Sequence, residues 1–68
     1  MKLLDIVATT EDMPGAHLSK GQVGTIVDEL DRNTVLVEFA DLDGVAYAIE
    51  PIPCSKLMEL HHRPALAA

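Results

Sequence analysis

The stretch that decides the fold is residues 34–50: the run TVLVEFA (34–40), the turn DLDG (41–44) and the run VAYAIE (45–50). Large apolar residues occupy every second position of both runs, and the residues between them are small or polar apart from Leu36 in the first run. This period of two, with β-branched and aromatic side chains, predicts two strands. The Asp-Gly between the runs predicts a tight hairpin turn. The large residues expected to face the core are Val35, Val37, Phe39, Val45, Tyr47 and Ile49.

Three further strands are predicted around this hairpin, over residues 3–8, 21–30 and 57–60. In the second of them the alternation breaks at Ile26 and Val27, and Gly24 lies inside the run, which predicts a bulge or a sharp bend. A long loop over residues 9–20 is expected to direct Leu18 into the core. Pro51 and Pro53 are expected to end the strand of residues 44–50, because proline donates no ladder hydrogen bond. A helical turn is expected at residues 54–56.

Five short strands with a long first loop and a helical turn before the last strand predict an all-β fold, a small five-stranded SH3-like barrel that conceals its edges by curving. An OB-type barrel is the alternative, but it needs longer strands and a helix between the third and fourth. We expect one domain over residues 1–60 and a flexible tail over residues 61–68. The other residues expected in the core are Val7, Leu18, Val23, Val27 and Leu57.

The 68-residue chain is 49% hydrophobic and carries five Lys and Arg against eleven Asp and Glu, a formal net charge of −6. This composition fits a folded domain and opposes binding to phosphate backbones, so no nucleic-acid partner is expected. No apolar run approaches the length of a membrane span. With a single cysteine, Cys54, no internal disulfide can form, which favours a cytoplasmic protein. Small cores without disulfides often gain stability by association, so a homodimer or a permanent partner is reasonable.

Two strings, LLDIVATTED (3–12) and LSKGQVGTIV (18–27), resemble a family of bacterial, often cyanobacterial, proteins of about seventy residues and unknown function. The resemblance continues to about residue 60, through Val37-Glu38-Phe39, Asp43-Gly44 and Tyr47. It implies an SH3-like fold and no established activity. It also implies a partner protein that is encoded nearby.

A looser resemblance joins Lys20-Gly21-x-x-Gly24-x-Ile26-Val27 to the KOW motif of ribosomal proteins and elongation factors. Such a motif implies contact with RNA through nearby basic residues. Here the glycines and apolar residues match, but Asp28, Glu29 and Asp31 follow instead of basic residues. The match therefore favours the barrel more than RNA binding, and a bend beside a strand is sufficient reason for the glycines.

No catalytic set is evident, and the chain is expected not to be an enzyme. Cys54 beside Ser55 has no local signature of a positioned base, so it is expected to be a small buried residue. His61 and His62 lie in the expected tail, and Asp41-x-Asp43-Gly44 lacks the remaining ligands of a calcium loop. No metal and no cofactor are therefore expected.

The surface expected to bind a partner is the outer face of the hairpin together with the acidic first loop. Small or apolar residues on the face opposite the core are unusual for a barrel, whose outside is normally polar. Packing of this face under the first loop or the C-terminal tail is the alternative. The residues expected to bind are Glu11, Asp12, Leu36, Glu38, Ala46, Ala48 and Glu50, and Ala40 shares their face.

The expected function is thus a non-enzymatic protein–protein interaction module that binds another protein or itself. A charge of −6 steers cationic surfaces toward the chain, so the partner should be neutral to basic. Two alternatives remain open. One is an antitoxin-like or immunity-like protein that neutralises a small basic protein, and the other is a KOW-like RNA contact at residues 20–24.

Overall fold

Five antiparallel strands form one sheet in the computed structural model, which describes residues 1–41 and 43–61. The sheet order is β4-β3-β2-β1-β5, so the last strand pairs with the first. A 3-10 turn lies in the first loop at Pro14–Ala16 and another before the last strand at Cys54–Lys56. The predicted all-β architecture is confirmed. The strands are β1 (Ile6–Thr9), β2 (Val23–Glu29), β3 (Thr34–Ala40), β4 (Ala46–Pro53) and β5 (Leu57–Glu59).

One hydrophobic cluster receives side chains from all five strands. Strands lie about 4.8 Å apart, so five of them laid flat would span about 19 Å, too far for the two edge strands to share one small cluster. The sheet is therefore strongly curved around its core. Leu18 closes this core from the first loop, as predicted. The cluster consists of Val7, Leu18, Ile26, Val35, Val37, Phe39, Ile52 and Leu57.

The predicted irregularity in β2 is confirmed, because the register against β3 shifts between Ile26 and Asp28. Gly24 has a separate role nearer the start of the strand. A Cβ atom at this position would lie 2.6 Å from Val37 Cγ1 and 2.9 Å from Phe39 Cδ1. Only glycine therefore lets β2 and these two core side chains pack so closely.

The strand β4 extends through both prolines to Pro53, so the prediction that they end the strand is wrong. The physical reason is that β4 is an edge strand. On an edge the missing N–H of a proline can face solvent at no cost to the ladder. Ile52, between the two prolines, consequently becomes a core residue with 1% of its surface exposed.

The side-chain alternation of β4 also differs from the prediction. Phe39 pairs with Ala48 and Ala40 pairs with Ala46, so Tyr47 is an extra residue in β4 and forms a bulge. From Ala48 onward the core-facing positions are even-numbered, which places Ile49 on the opposite face. Five residues expected inside are in fact 37–61% exposed: Val23, Val27, Val45, Tyr47 and Ile49.

The first strand begins later than predicted, because a turn at residues 2–5 precedes it. Leu4 has a positive φ of 70° and its N–H donates to the carbonyl of Ile26 (2.8 Å). At the other end of the chain, residues 62–68 of the expected tail lie outside the described residues. The domain boundary at residue 60 therefore stays a prediction.

Candidate functional site

The surface with the most unusual composition is the side of the sheet that faces away from the core, which we call the outer face. Cross-strand pairs define it. One row runs Ile49–Glu38–Thr25–Ile6 across four strands, and Ala8 pairs with both Val23 and Met58 on the other half of the sheet. The members of the outer face are Ile6, Ala8, Val23, Thr25, Asp28, Leu36, Glu38, Ala40, Ala46, Ile49, Pro51 and Met58.

The outer face is mainly apolar and accessible. Ile6, Val23, Ile49 and Met58 each keep 42–53% of their surface exposed. Between them lies Ala8, which is only 7% exposed because its larger neighbours flank it. Apolar side chains grouped on one face of a sheet mark a contact surface more strongly than the same residues scattered singly.

Two of the residues expected on this face lie elsewhere. Ala48 pairs with Phe39 and Glu50 pairs with Val37, so both project toward the core side of the sheet. Ala48 packs against the hydrophobic cluster and Glu50 is half-buried at its border. The expected placement is wrong because the bulge at Tyr47 reverses the alternation. Ile49 takes their place on the outer face.

Leu36, Glu38 and Ala46 do lie on the outer face, as expected. Glu38 is half-buried between Ile49 and Thr25. Within residues 1–41 and 43–61, Lys56 forms an ion pair with Glu11, and His61 Nε2 lies 3.6 Å from Glu59 Oε2, so Glu38 belongs to neither contact. The described strands carry no Lys or Arg at all. Their charged residues are Asp28, Glu29, Glu38, Glu50 and Glu59.

The two acidic residues of the first loop make contacts that shape the loop itself. Glu11 Oε1 lies 3.3 Å from Lys56 Nζ, and the adjacent Thr10 N–H donates to the Lys56 carbonyl at 3.0 Å. Asp12 Oδ1 accepts a hydrogen bond of 2.8 Å from the backbone N–H of Lys20. Both carboxylates are therefore engaged within the chain, on the loop rather than on the outer face.

Tyr47 forms the rim of the core near the base of the first loop. Its ring centroid lies 6.4 Å from that of Phe39, and its hydroxyl accepts a 2.8 Å hydrogen bond from Gln22 Nε2. The other end of the same amide, Gln22 Oε1, accepts a hydrogen bond from the Ser19 N–H. The sequence pattern assigned Tyr47 to the interior, whereas it is half-exposed and linked to the loop.

Among the described residues, Asp5 is the one whose pKa clearly departs from its usual value. A hydrogen bond with the carboxyl group of Glu59 and then the N–H of Lys2, which donates to Asp5 Oδ2 at 2.9 Å, lower the pKa of Asp5 below its usual value of 3.8. Both contacts favour its charged form, and partial burial opposes them. Asp5 thereby fixes the turn that leads into β1.

The remaining candidate residues serve as structural groups. Cys54 is half-buried against the core, and its N–H donates to the Asn33 carbonyl at 2.7 Å. Asp41 Oδ1 accepts hydrogen bonds from the N–H groups of Asp43 (2.9 Å) and Val45 (3.0 Å), which makes it a turn former, as expected. Leu42 of this turn lies outside the described residues, and so does His62.

No group of three or more His, Cys, Asp or Glu side chains is positioned to hold a metal ion among residues 1–41 and 43–61. An open depression of about 530 Å³ lies in the first loop and is lined by Asp12, Pro14, His17, Leu18 and Ser19. The carboxylate of Asp12 is already used by Lys20, and Leu18 belongs to the core. Among the described residues that line the depression, His17 is therefore the one titratable side chain that is not used in another contact.

A family model described as a domain of unknown function (DUF4926) matches residues 3–59. The chain belongs to this family. The matched region begins in the turn before β1 and ends with β5, so it includes the whole sheet. Among the curated proteins and among the solved structures, no significant match to the chain is found. The expected membership of a family of unknown function is confirmed, while the expected bacterial distribution stays a prediction.

In the described part of the chain, no helix has the length and apolar character needed to span a membrane.

The residues of the outer face are only partly predicted by the sequence. Ile6, Val23, Ile49 and Met58 are its most exposed large members, and none of them was expected there. The spacing of Ile49 and Ile52 shows that the two cannot share one face of a regular strand, but it does not say which of them faces outward.

Proposed function

We propose that the chain is a non-enzymatic interaction module that binds another protein on the outer face of its sheet. The observation that supports this function is the set of half-exposed apolar residues Ile6, Val23, Ile49 and Met58 on the side of the sheet that faces away from the core. The side of a barrel that faces water is normally polar. An apolar outer face is stabilised when a partner removes it from water.

Binding through the face is favoured over binding along the sheet edges. An edge strand can pair with an added strand only where its backbone N–H and C=O groups are free to form a ladder. In β4 the edge is interrupted by Pro51 and Pro53, and β5 has only three residues. Both edges are therefore poor templates, so side-chain contacts on the outer face are the better mode of recognition.

The partner should be neutral to basic, since every charged residue in the described strands is a carboxylate. This distribution also suits the alternative of a protein that neutralises a small basic protein, which would use the same face. It does not favour a KOW-like RNA contact, because the strands themselves carry no Lys or Arg to bind phosphates. In addition, the Lys20 N–H is committed to Asp12 within the loop.

The proposal is tested by capture from an extract of the native host with immobilised wild-type protein and three variants. Ile49→Lys and Met58→Lys place a charge at two ends of the outer face. Leu4→Lys makes a comparable change in the turn before β1, at a side chain that is 70% exposed, and serves as the matched control. Circular dichroism establishes that all variants fold.

We expect at least one protein to be retained by the wild type and by Leu4→Lys and to be lost with both outer-face variants. Quantitative mass spectrometry of the bound fraction measures this. If no protein distinguishes the outer-face variants from the control, the outer face is not the binding surface. Light scattering on the purified chain separately detects self-association.

A further inference from the structure

The outer face has one charged residue at its middle, Glu38. On its own strand it lies between Leu36 and Ala40, and across the sheet it pairs with Ile49 on one side and Thr25 on the other. Its side chain is already half-buried before any partner binds. Glu38 therefore differs from the acidic residues of the turns, such as Asp31 and Asp43, which are exposed.

A partner that covers the apolar side chains around Glu38 must also remove its carboxylate from water. Burying a carboxylate without a counter-charge is costly, whereas a charge-assisted hydrogen bond offsets that cost. The described strands contain no Lys or Arg that can reach it. Glu38 takes part in no charge pair among the described residues, which leaves the compensating positive charge for the partner to supply.

Resting on the function proposed above, we infer that the partner presents a protein segment whose apolar side chains surround a Lys or Arg, and that this cation pairs with Glu38. The same reasoning disfavours a second copy of the chain as the occupant. Two outer faces in contact would bring together carboxylates, Glu38 and Asp28 of each copy, without a described cation on either face.

A matched control is available on the adjacent strand. Glu50 is also a half-buried glutamate, but it pairs with Val37 and projects toward the core side of the sheet. Glu38→Gln and Glu50→Gln change the net charge by the same amount. Any general attraction between an acidic protein and a basic ligand is thus weakened equally in both variants, and only a specific contact on the outer face separates them.

The probe is an amphipathic fourteen-residue peptide of Leu and Lys with a fluorescent label, compared with its counterpart of Leu and Glu. Binding is followed by fluorescence anisotropy at low and at physiological salt. We expect the wild type to bind the Leu–Lys peptide and not the Leu–Glu peptide. Glu38→Gln should weaken that binding roughly tenfold, as loss of a charge-assisted hydrogen bond does, while Glu50→Gln should change it less than about twofold.

Equal weakening by the two Gln variants would overturn the inference, and so would the absence of saturable binding to the Leu–Lys peptide. A wild-type dimer that Ile49→Lys dissociates would show a second copy as the occupant and would overturn it as well. If Ile49→Lys abolishes peptide binding while Glu38→Gln does not, the outer face remains the binding surface and only the paired cation is wrong. The two proposals therefore fail in distinguishable ways.

Discussion

The first loop is held closed at its base by a reciprocal contact between Thr9 and Gln22. The Thr9 N–H donates to the Gln22 carbonyl and the Gln22 N–H donates to Thr9 Oγ1, both at 3.0 Å. The same hydroxyl donates to the Ser19 carbonyl at 2.6 Å. Thr9 is only 3% exposed and is the one buried polar residue of the described chain.

The substitution Thr9→Val should destabilise the fold by about 2 kcal/mol, because it leaves a donor and an acceptor of the loop backbone without their buried partner. Thr10→Val is the control, since the Thr10 side chain is exposed and only its backbone N–H is bonded. Urea denaturation measures the free energy of unfolding of both. Equal stabilities for the two variants would mean that the Thr9 hydroxyl does not hold the loop.

Close packing at Gly24 leads to a second prediction. Gly24→Ala should lower the free energy of unfolding by about 1–3 kcal/mol, because the added methyl group meets Val37, Phe39 and the Glu38 carbonyl within 3 Å. Gly15→Ala has no atom within 4 Å of the new methyl group and should change stability by less than about 1 kcal/mol. Thermal unfolding measures the stability of the two variants against the wild type. A neutral Gly24→Ala would contradict this account of the β2–β3 contact.

A third prediction tests the alternation of β4 directly with two isoleucines. Ile52 is 1% exposed and Ile49 is 52% exposed. Ile52→Ala should cost about 2–5 kcal/mol, as expected for a core truncation, whereas Ile49→Ala should cost less than about 1 kcal/mol. Chemical denaturation measures the free energy of unfolding of the two variants. The opposite order would restore the alternation expected from the sequence.

The acidity of Asp5 leads to a fourth prediction. Because the folded-state pKa is lowered, the stabilisation from the charged carboxylate is present above the unfolded-state pKa and is lost as the pH falls through the folded one. The wild type should therefore be more stable than Asp5→Asn at pH 7, and the difference should shrink below the usual pKa of 3.8. Denaturation curves recorded from pH 7 to below pH 3.8 measure the difference in the free energy of unfolding between the two proteins. A difference that stays constant down to pH 2 would contradict the assignment.

The sequence predicts which side of a strand is buried only where the residues on its two faces differ clearly in polarity or size. In β3, Val35, Val37 and Phe39 alternate with residues that are small or polar apart from Leu36, and their burial follows the pattern. In β4 both faces are apolar, so the pattern cannot determine which side is inside. The bulge at Tyr47 and the edge position of Pro51 and Pro53 decide it, and both are properties of strand pairing.

The residues of the outer face are likewise predictable only where they belong to a strand with regular alternation. Leu36 and Glu38 were located correctly, because they alternate with the core residues of a regular strand. The other exposed members, Ile6, Val23 and Met58, come together only when β1 pairs with β2 and β5. Such pairing joins segments that are far apart in the chain, and local periodicity carries no information about it.

The pairing of β5 with β1 has a consequence for how the chain folds. Val7 finds its partner Glu59 some fifty residues later, so the sheet is complete only when almost the whole chain is available. Non-local pairings of this kind slow folding, because the entropy of closing a long loop is lost before the contact forms. Until then β1 has an unpaired edge beside exposed apolar side chains. An unpaired edge of this kind can pair with another chain, and the addition of β5 removes that possibility for β1.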